Sequence, residues 1–211
     1  VRLGITKNRF KYVGIASTTP ANRQLLKMFK RRIKILQIPQ PKLINFILTL
    51  IANHSILKKT ELFYPFPYYL NEYFEFGNTE PSLRFTKKEG ERGKEILKKI
   101  GINNNWFICF HARDGAYLES LFRKNEVNYN GYRDWDIKSS LSAIKYITSL
   151  NGYAIRMGAV VEKELPNLEN KKIIDYACKY RTDFGDIYLP SKCKFFLGDG
   201  CGLNLIPKIF N

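Results

Sequence analysis

Histidine and paired cysteine are scarce in this chain. Its 211 residues include two histidines, His54 and His111, and four cysteines, Cys109, Cys178, Cys193 and Cys201, with no C-x-x-C pair. No zinc spacing can be built from that set, so no metal is expected. Cys109 and Cys193 sit in apolar contexts and read as small buried hydrophobes, which points to a reducing cytosol and away from a disulfide scaffold. The opening VRLGITKNRF has neither an initiating Met nor a continuous apolar h-region, so no signal peptide is visible. The longest apolar stretch, Leu43 to Leu57 (LINFILTLIANHSIL), is too short to span a bilayer and is interrupted by Asn45, Asn53 and His54. A buried or interfacial helix is expected there, in a cytoplasmic protein whose attachment to the inner membrane face stays open. No internal repeat of short period occurs. The Lys-Ser/Thr end of a P-loop is missing as well, which disfavours ATP hydrolysis.

What is present is a globular composition, 45% hydrophobic and 14% aromatic, enough for one large domain or two small ones. The net charge of +16 suits a nucleic-acid binder, an anionic membrane surface or an enzyme of phosphorylated substrates. A duller cause competes: Lys (23), Ile (22) and Asn (17) dominate, as in an AT-rich coding sequence, which adds lysine without selecting a partner. Basic residues are spread along the chain, densest at Lys27 to Lys34, and no nucleic-acid-binding signature accompanies them.

Tyr12 to Thr18 reads as a strand, the following TPANRQLLKMFKRR as a helix with Pro20 in its first turn, and Ile33 to Pro39 as a second strand, together a β-α-β unit. PKLINFILTLIAN gives another helix. The aromatic ELFYPFPYYLNEYFEFGNTEP cannot be a central strand, because Pro65 and Pro67 remove ladder donors. Its rings suit packing between domains, or stacking on a sugar or base.

Thr86 and Glu89 then form a capping box ahead of a helix ended by Gly101, and Trp106 to Phe110 is a buried strand. Asp136 caps a helix stopped by Gly152, which feeds the strand YAIRMG. KKIIDYAC is a short strand or helix, DFGDIYLPSKC a helix capped by Asp183 and closed near Pro190, and KFFLGDG a last strand. The alternation implies an α/β fold with a parallel sheet. A boundary near residues 82–84 divides the chain into 1–83 and 84–211, two similar α/β units.

Parallel strands place their carboxyl ends on one edge, where ligands bind. The FHARDGAY, IRMG and FFLGDGCGLN ends should therefore converge. Gly198, Gly200 and Gly202, around Asp199 and Cys201, let backbone amides approach a ligand as a phosphate cradle does; a plain glycine-rich turn is the alternative. Arg113 offers a planar bidentate donor for a diphosphate, and Arg156 could do the same. His111 alternates with Arg113 on one side of an extended chain, able to hold the loop or transfer protons, while Ala112 and Asp114 face the other way.

FICFHARDGAY, YAIRMG, IIDYA, DFGDIYLPSKCKFFLGDGCGL and PKIF resemble, in serial order, the blocks of a group of bacterial glycosyltransferases found with surface-polysaccharide genes and distantly similar to fucosyltransferases of GT-B fold. IASTTPANRQLLKMFKRRIKI resembles the same group, so the likeness covers most of the chain. It implies two Rossmann-like units, an incomplete acceptor-side unit over 1–83 and a nucleotide-sugar-binding domain over 84–211, truncated at its end. It also implies a nucleotide-diphosphate sugar donor, a glycan or lipid-linked acceptor, and no metal. Arg113 would then hold the donor diphosphate with His111 in support, and Gly198 to Gly202 would line the phosphates.

The chain departs from the fucosyltransferase pattern at Asp114, where a second Arg is usual, at Met157 and Gly158, where an acidic residue is usual, and at Cys201 and Gly202, where serines are usual. Nucleotide-diphosphate sugars in general, not GDP-fucose in particular, are what the likeness implies. The implied reaction is displacement at the anomeric carbon, with Asp114 first among the candidate bases and Asp183, Asp186 and Asp199 behind it. A basic nucleic-acid-binding protein and an inactive fragment of such a transferase are the alternatives.

Overall fold

The computed structural model describes residues 13–39, 46–47, 50–51, 80–81, 83–121, 131 and 134–210. The chain divides into two compact units, Val1–Ser82 and Leu83–Asn211.

In the first unit β1 (Val13–Ser17) and β2 (Lys34–Ile38) pair in parallel, from Val13 opposite Lys34 to Ser17 opposite Ile38. Helix α1 (Arg23–Lys30) connects them, the β-α-β unit that the hydrophobic spacing predicts. The helix starts later than Pro20: the side chain of Asn22 caps it, accepting from the Leu25 N–H at 2.9 Å. Residues 46–47 and 50–51 are helical. The aromatic segment from Glu61 to Thr79, with its proposed stacking role, lies outside the described residues.

The second unit opens with α2 (Lys87–Lys99), whose Thr86–Glu89 capping box is formed on both sides. It closes in a Schellman motif, with the Gly101 N–H donating to the Lys98 carbonyl and the Ile102 N–H to that of Leu97, which needs Gly101 at φ +83°. The sheet follows: β3 (Phe107–His111), β4 (Tyr153–Arg156), β5 (Ile173–Asp175) and β6 (Phe196–Gly198), all parallel, in the order β5-β4-β3-β6. KKIIDYAC is strand and helix in turn, β5 running directly into the single turn α5 (Tyr176–Lys179).

Alternation along β3 supplies both faces of the core. Phe107 and Cys109 join Ile155, Met157, Tyr176, Tyr188 and Leu189 on one side, against α2 and α6 (Gly185–Lys192). Ile108 and Phe110 join Ala154, Ile137 and Ile144 on the other, against α4 (Leu141–Ser149). A strand covered on both faces reads as a continuous apolar run, which is why Trp106 to Phe110 shows no alternation in sequence. α2 lies so close to α6 that a Cβ on Gly93 would stand 2.0 Å from the Tyr188 ring.

Three helix ends differ from expectation. Asp136 does cap, accepting from Lys138, but the first turn is 3-10 (Ile137–Ser140) before α4 begins. At the far end of α4 the left-handed residue is Asn151, at φ 63°, and Gly152 serves packing instead, since a Cβ there would meet the Trp106 indole at 2.4 Å. The α6 cap is not Asp183: the hydroxyl of Thr182 accepts from Gly185 at 3.0 Å, Asp183 pairs with Arg181, and Pro190 sits inside the helix without closing it. Among the described residues no helix is long and apolar enough to cross a membrane.

Candidate functional site

Counted in chain order within the second unit, the strands lie as 3-2-1-4. The winding direction therefore reverses between β3 and β6, and in open parallel sheets that reversal leaves a crevice at the strands' carboxyl ends. β3 ends there in His111, and β6 ends in Gly198, directly opposite it in register. A Cβ on Gly198 would meet the His111 carbonyl oxygen at 2.7 Å, so glycine permits this pairing. From Gly198 the chain turns through Asp199, Gly200 and Cys201, with the Cys201 N–H and the Asn204 amide both donating to the Asp199 carbonyl, into a 3-10 turn (Gly202–Asn204) and α7 (Leu205–Phe210).

The side chains of His111, Asp199 and Cys201 converge at this point. Their ligand atoms all lie within 4.8 Å of one another. His111 Nδ1 is 2.9 Å from the Met157 carbonyl, and because a carbonyl only accepts, Nδ1 carries the proton and Nε2 is left for Cys201. Burial opposes charge on the ring, but the hydrogen bond and charge of Cys201, the Met157 carbonyl and the Asp199 carboxylate outweigh it and raise the His111 pKa. Burial also opposes a thiolate at Cys201, yet the His111 hydrogen bond and charge, with the backbone N–H groups of Asn204 and Leu203, lower its pKa. The two shifts agree: the pair leans toward thiolate and imidazolium, a nucleophile or a ligand in chemical character. Both Asp199 carboxylate oxygens are shut off from solvent without a hydrogen-bond partner.

Other residues singled out by sequence have different surroundings. β3 stops at His111, so the alternation that would set Arg113 beside it does not continue; Arg113 forms an ion pair with Asp134, 3.5 Å from its Nε. Arg156 is turned inward, 2% exposed, where it donates to the Lys163 carbonyl at 2.6 Å and to Asp175 Oδ2 at 3.3 Å. A guanidinium so enclosed has no edge to offer a diphosphate, and its role is to pin the loop after β4. Asp114, first choice as base, uses both carboxylate oxygens as backbone acceptors, from Ala116 at 3.2 Å ahead of α3 (Ala116–Leu121) and from Glu162 at 2.9 Å. Those bonds favour a loop-holding role over proton transfer. Asp183 and Asp186 share Arg181.

Sequence reasoning placed the ends of β3 and β6 on one edge, as the sheet does, but treated Cys201 only as part of a glycine-rich loop. The signal available was the coincidence of a histidine and a cysteine at two strand termini that a parallel sheet must bring to one edge. No family model, curated protein or solved structure matches the chain.

Proposed function

We propose that the chain is a glycosyltransferase of GT-B-like design, moving a sugar from a nucleotide-diphosphate donor to a glycan or lipid-linked acceptor, with residues 83–211 as its donor-binding half. The observation that carries this reading is the winding reversal between β3 and β6, with the Gly198–Gly202 turn on one side of it and His111 on the other. Nucleotides bind at such reversals because strand ends diverge there and leave backbone amides facing a cleft. The serial resemblance of the sequence blocks to polysaccharide-locus glycosyltransferases adds the substrate class.

In this reading the Gly198–Gly202 backbone accommodates the phosphates and Arg113 supplies a fixed positive charge; its ion pair with Asp134 is long. Charge that develops on the departing diphosphate is stabilised by donors already in place, which is where preorganisation contributes most to rate. Arg156 and Asp114 act at one remove, by holding the loops that frame the cleft.

A thermal-shift titration with UDP, GDP, CDP and ADP tests the reading. One of them should stabilise the protein, by about 2.7 kcal/mol at a hundredfold excess over Kd, and Arg113→Ala should lose that shift. Absence of a shift with all four, or an equal shift in the variant, would sink the donor assignment.

A further inference from the structure

The geometry points to a site for one thiophilic divalent cation, zinc in the first place, held by His111 Nε2, a carboxylate oxygen of Asp199 and the Cys201 sulfur. Sequence spacing alone argues against a metal, because two of these residues follow β6 and the third ends β3. The sheet removes that objection by pairing His111 with Gly198, one residue before Asp199.

Three independent features fit a cation. The ligand atoms lie within 4.8 Å of one another; the edges of a tetrahedral zinc site are roughly 3.5 Å, so closing the set needs shifts of only about 1 Å in short side chains. The carboxylate of Asp199 has both oxygens buried and unpartnered. A charge in that state is costly unless an ion or a proton compensates it. Finally, the Nδ1–H of His111 donates to the Met157 carbonyl, the outer contact that a zinc-bound histidine ordinarily makes and the one that leaves Nε2 as the coordinating nitrogen.

Charge balance and ligand type narrow the choice of ion. A thiolate and a carboxylate bring two negative charges, which a divalent cation neutralises. Sulfur and imidazole ligands select zinc over magnesium or calcium, which prefer oxygen. Three protein ligands leave the fourth tetrahedral position for water or a substrate oxygen, the pattern of a reactive site and not of a closed structural one. The inference needs only these three side chains and stands whether or not the donor is a nucleotide sugar.

Cobalt is the probe. Chelator-treated full-length protein is titrated with Co²⁺, followed by absorption, and then with Zn²⁺ in competition. Wild type should take up one equivalent, with a thiolate-to-cobalt charge-transfer band that zinc abolishes. Cys178→Ser, which removes an exposed thiol outside the cluster, should behave as wild type. Cys201→Ser should keep its circular-dichroism spectrum and lose the band, and Asp199→Ala should bind at least about tenfold more weakly. No stoichiometric uptake, a band that survives Cys201→Ser or vanishes in Cys178→Ser, or unchanged affinity in Asp199→Ala would each overturn the proposal.

Discussion

Two polar clusters occupy the carboxyl edge of the same four-stranded sheet, and they are built on opposite terms. Arg156 and Asp175 face each other across β4 and β5 and brace the fold: the guanidinium donates to the Lys163 carbonyl, and Asp175 Oδ2 accepts from Arg156 and from the Leu165 N–H, leaving only Oδ1 without a hydrogen-bond partner. His111, Asp199 and Cys201 face one another across β3 and β6, and there both oxygens of a buried carboxylate lack a hydrogen-bond partner, its charge acting on His111 through space. The lesson is that charge at a strand end is ambiguous by itself. What separates a brace from a binding site is whether the surrounding backbone has already used the group.

The sharpest break in that comparison is Arg156→Ala. It leaves Asp175 buried beside no cation, and the unfolding free energy should fall by about 3 to 5 kcal/mol, read from the urea midpoint. Next in size is a pH effect from a third acidic group, Asp186, buried at the start of α6. Burial pushes its carboxyl up to about 6, against the pull of Arg181. The unfolded chain ionises this group near 3.8, so the stability it contributes is fully present below that value and is lost as the pH rises through about 6. Asp186→Asn should therefore flatten the stability profile across that window by something on the order of 3 kcal/mol relative to wild type. The smallest effect belongs to the open cluster. In metal-free protein Asp199→Asn should lower stability by no more than about 0.5 kcal/mol and can raise it, since no protein hydrogen bond is lost and a buried charge is removed. A loss as large as that of Arg156→Ala would show that Asp199 is a brace as well, and the contrast would collapse.

Local features were legible in the sequence. The capping box at Thr86, the glycine that ends α2 and the β-α-β spacing of the first unit all depend on residues a few positions apart, and all three are present. What sequence could not give was cross-strand register. Arg156 looked available for a ligand because Asp175, its partner, lay in a segment that read equally as strand or helix. Once IID is a parallel strand, Asp175 falls opposite Arg156 and the arginine is accounted for. Asp114 misled for a related reason, since its acceptor role depends on Glu162, a loop residue far along the chain. The two units differ here too. Among the described residues of the first, Met28 is the one buried side chain, so burial there offers little to test a sequence reading against.

The strand order also bears on how the chain acquires its site. β3 pairs with β4 and with β6, yet β4, β5 and the helices α3 to α6 are synthesised before β6 exists. Contacts of such long separation carry a larger loop-closure cost than local ones and form late in folding. His111 can be in place on β3 while Asp199 and Cys201 are still elsewhere, so the convergence of the three becomes a mark of a finished fold. A cation recognised by all three would select completed molecules and could not act as a template for unfinished ones.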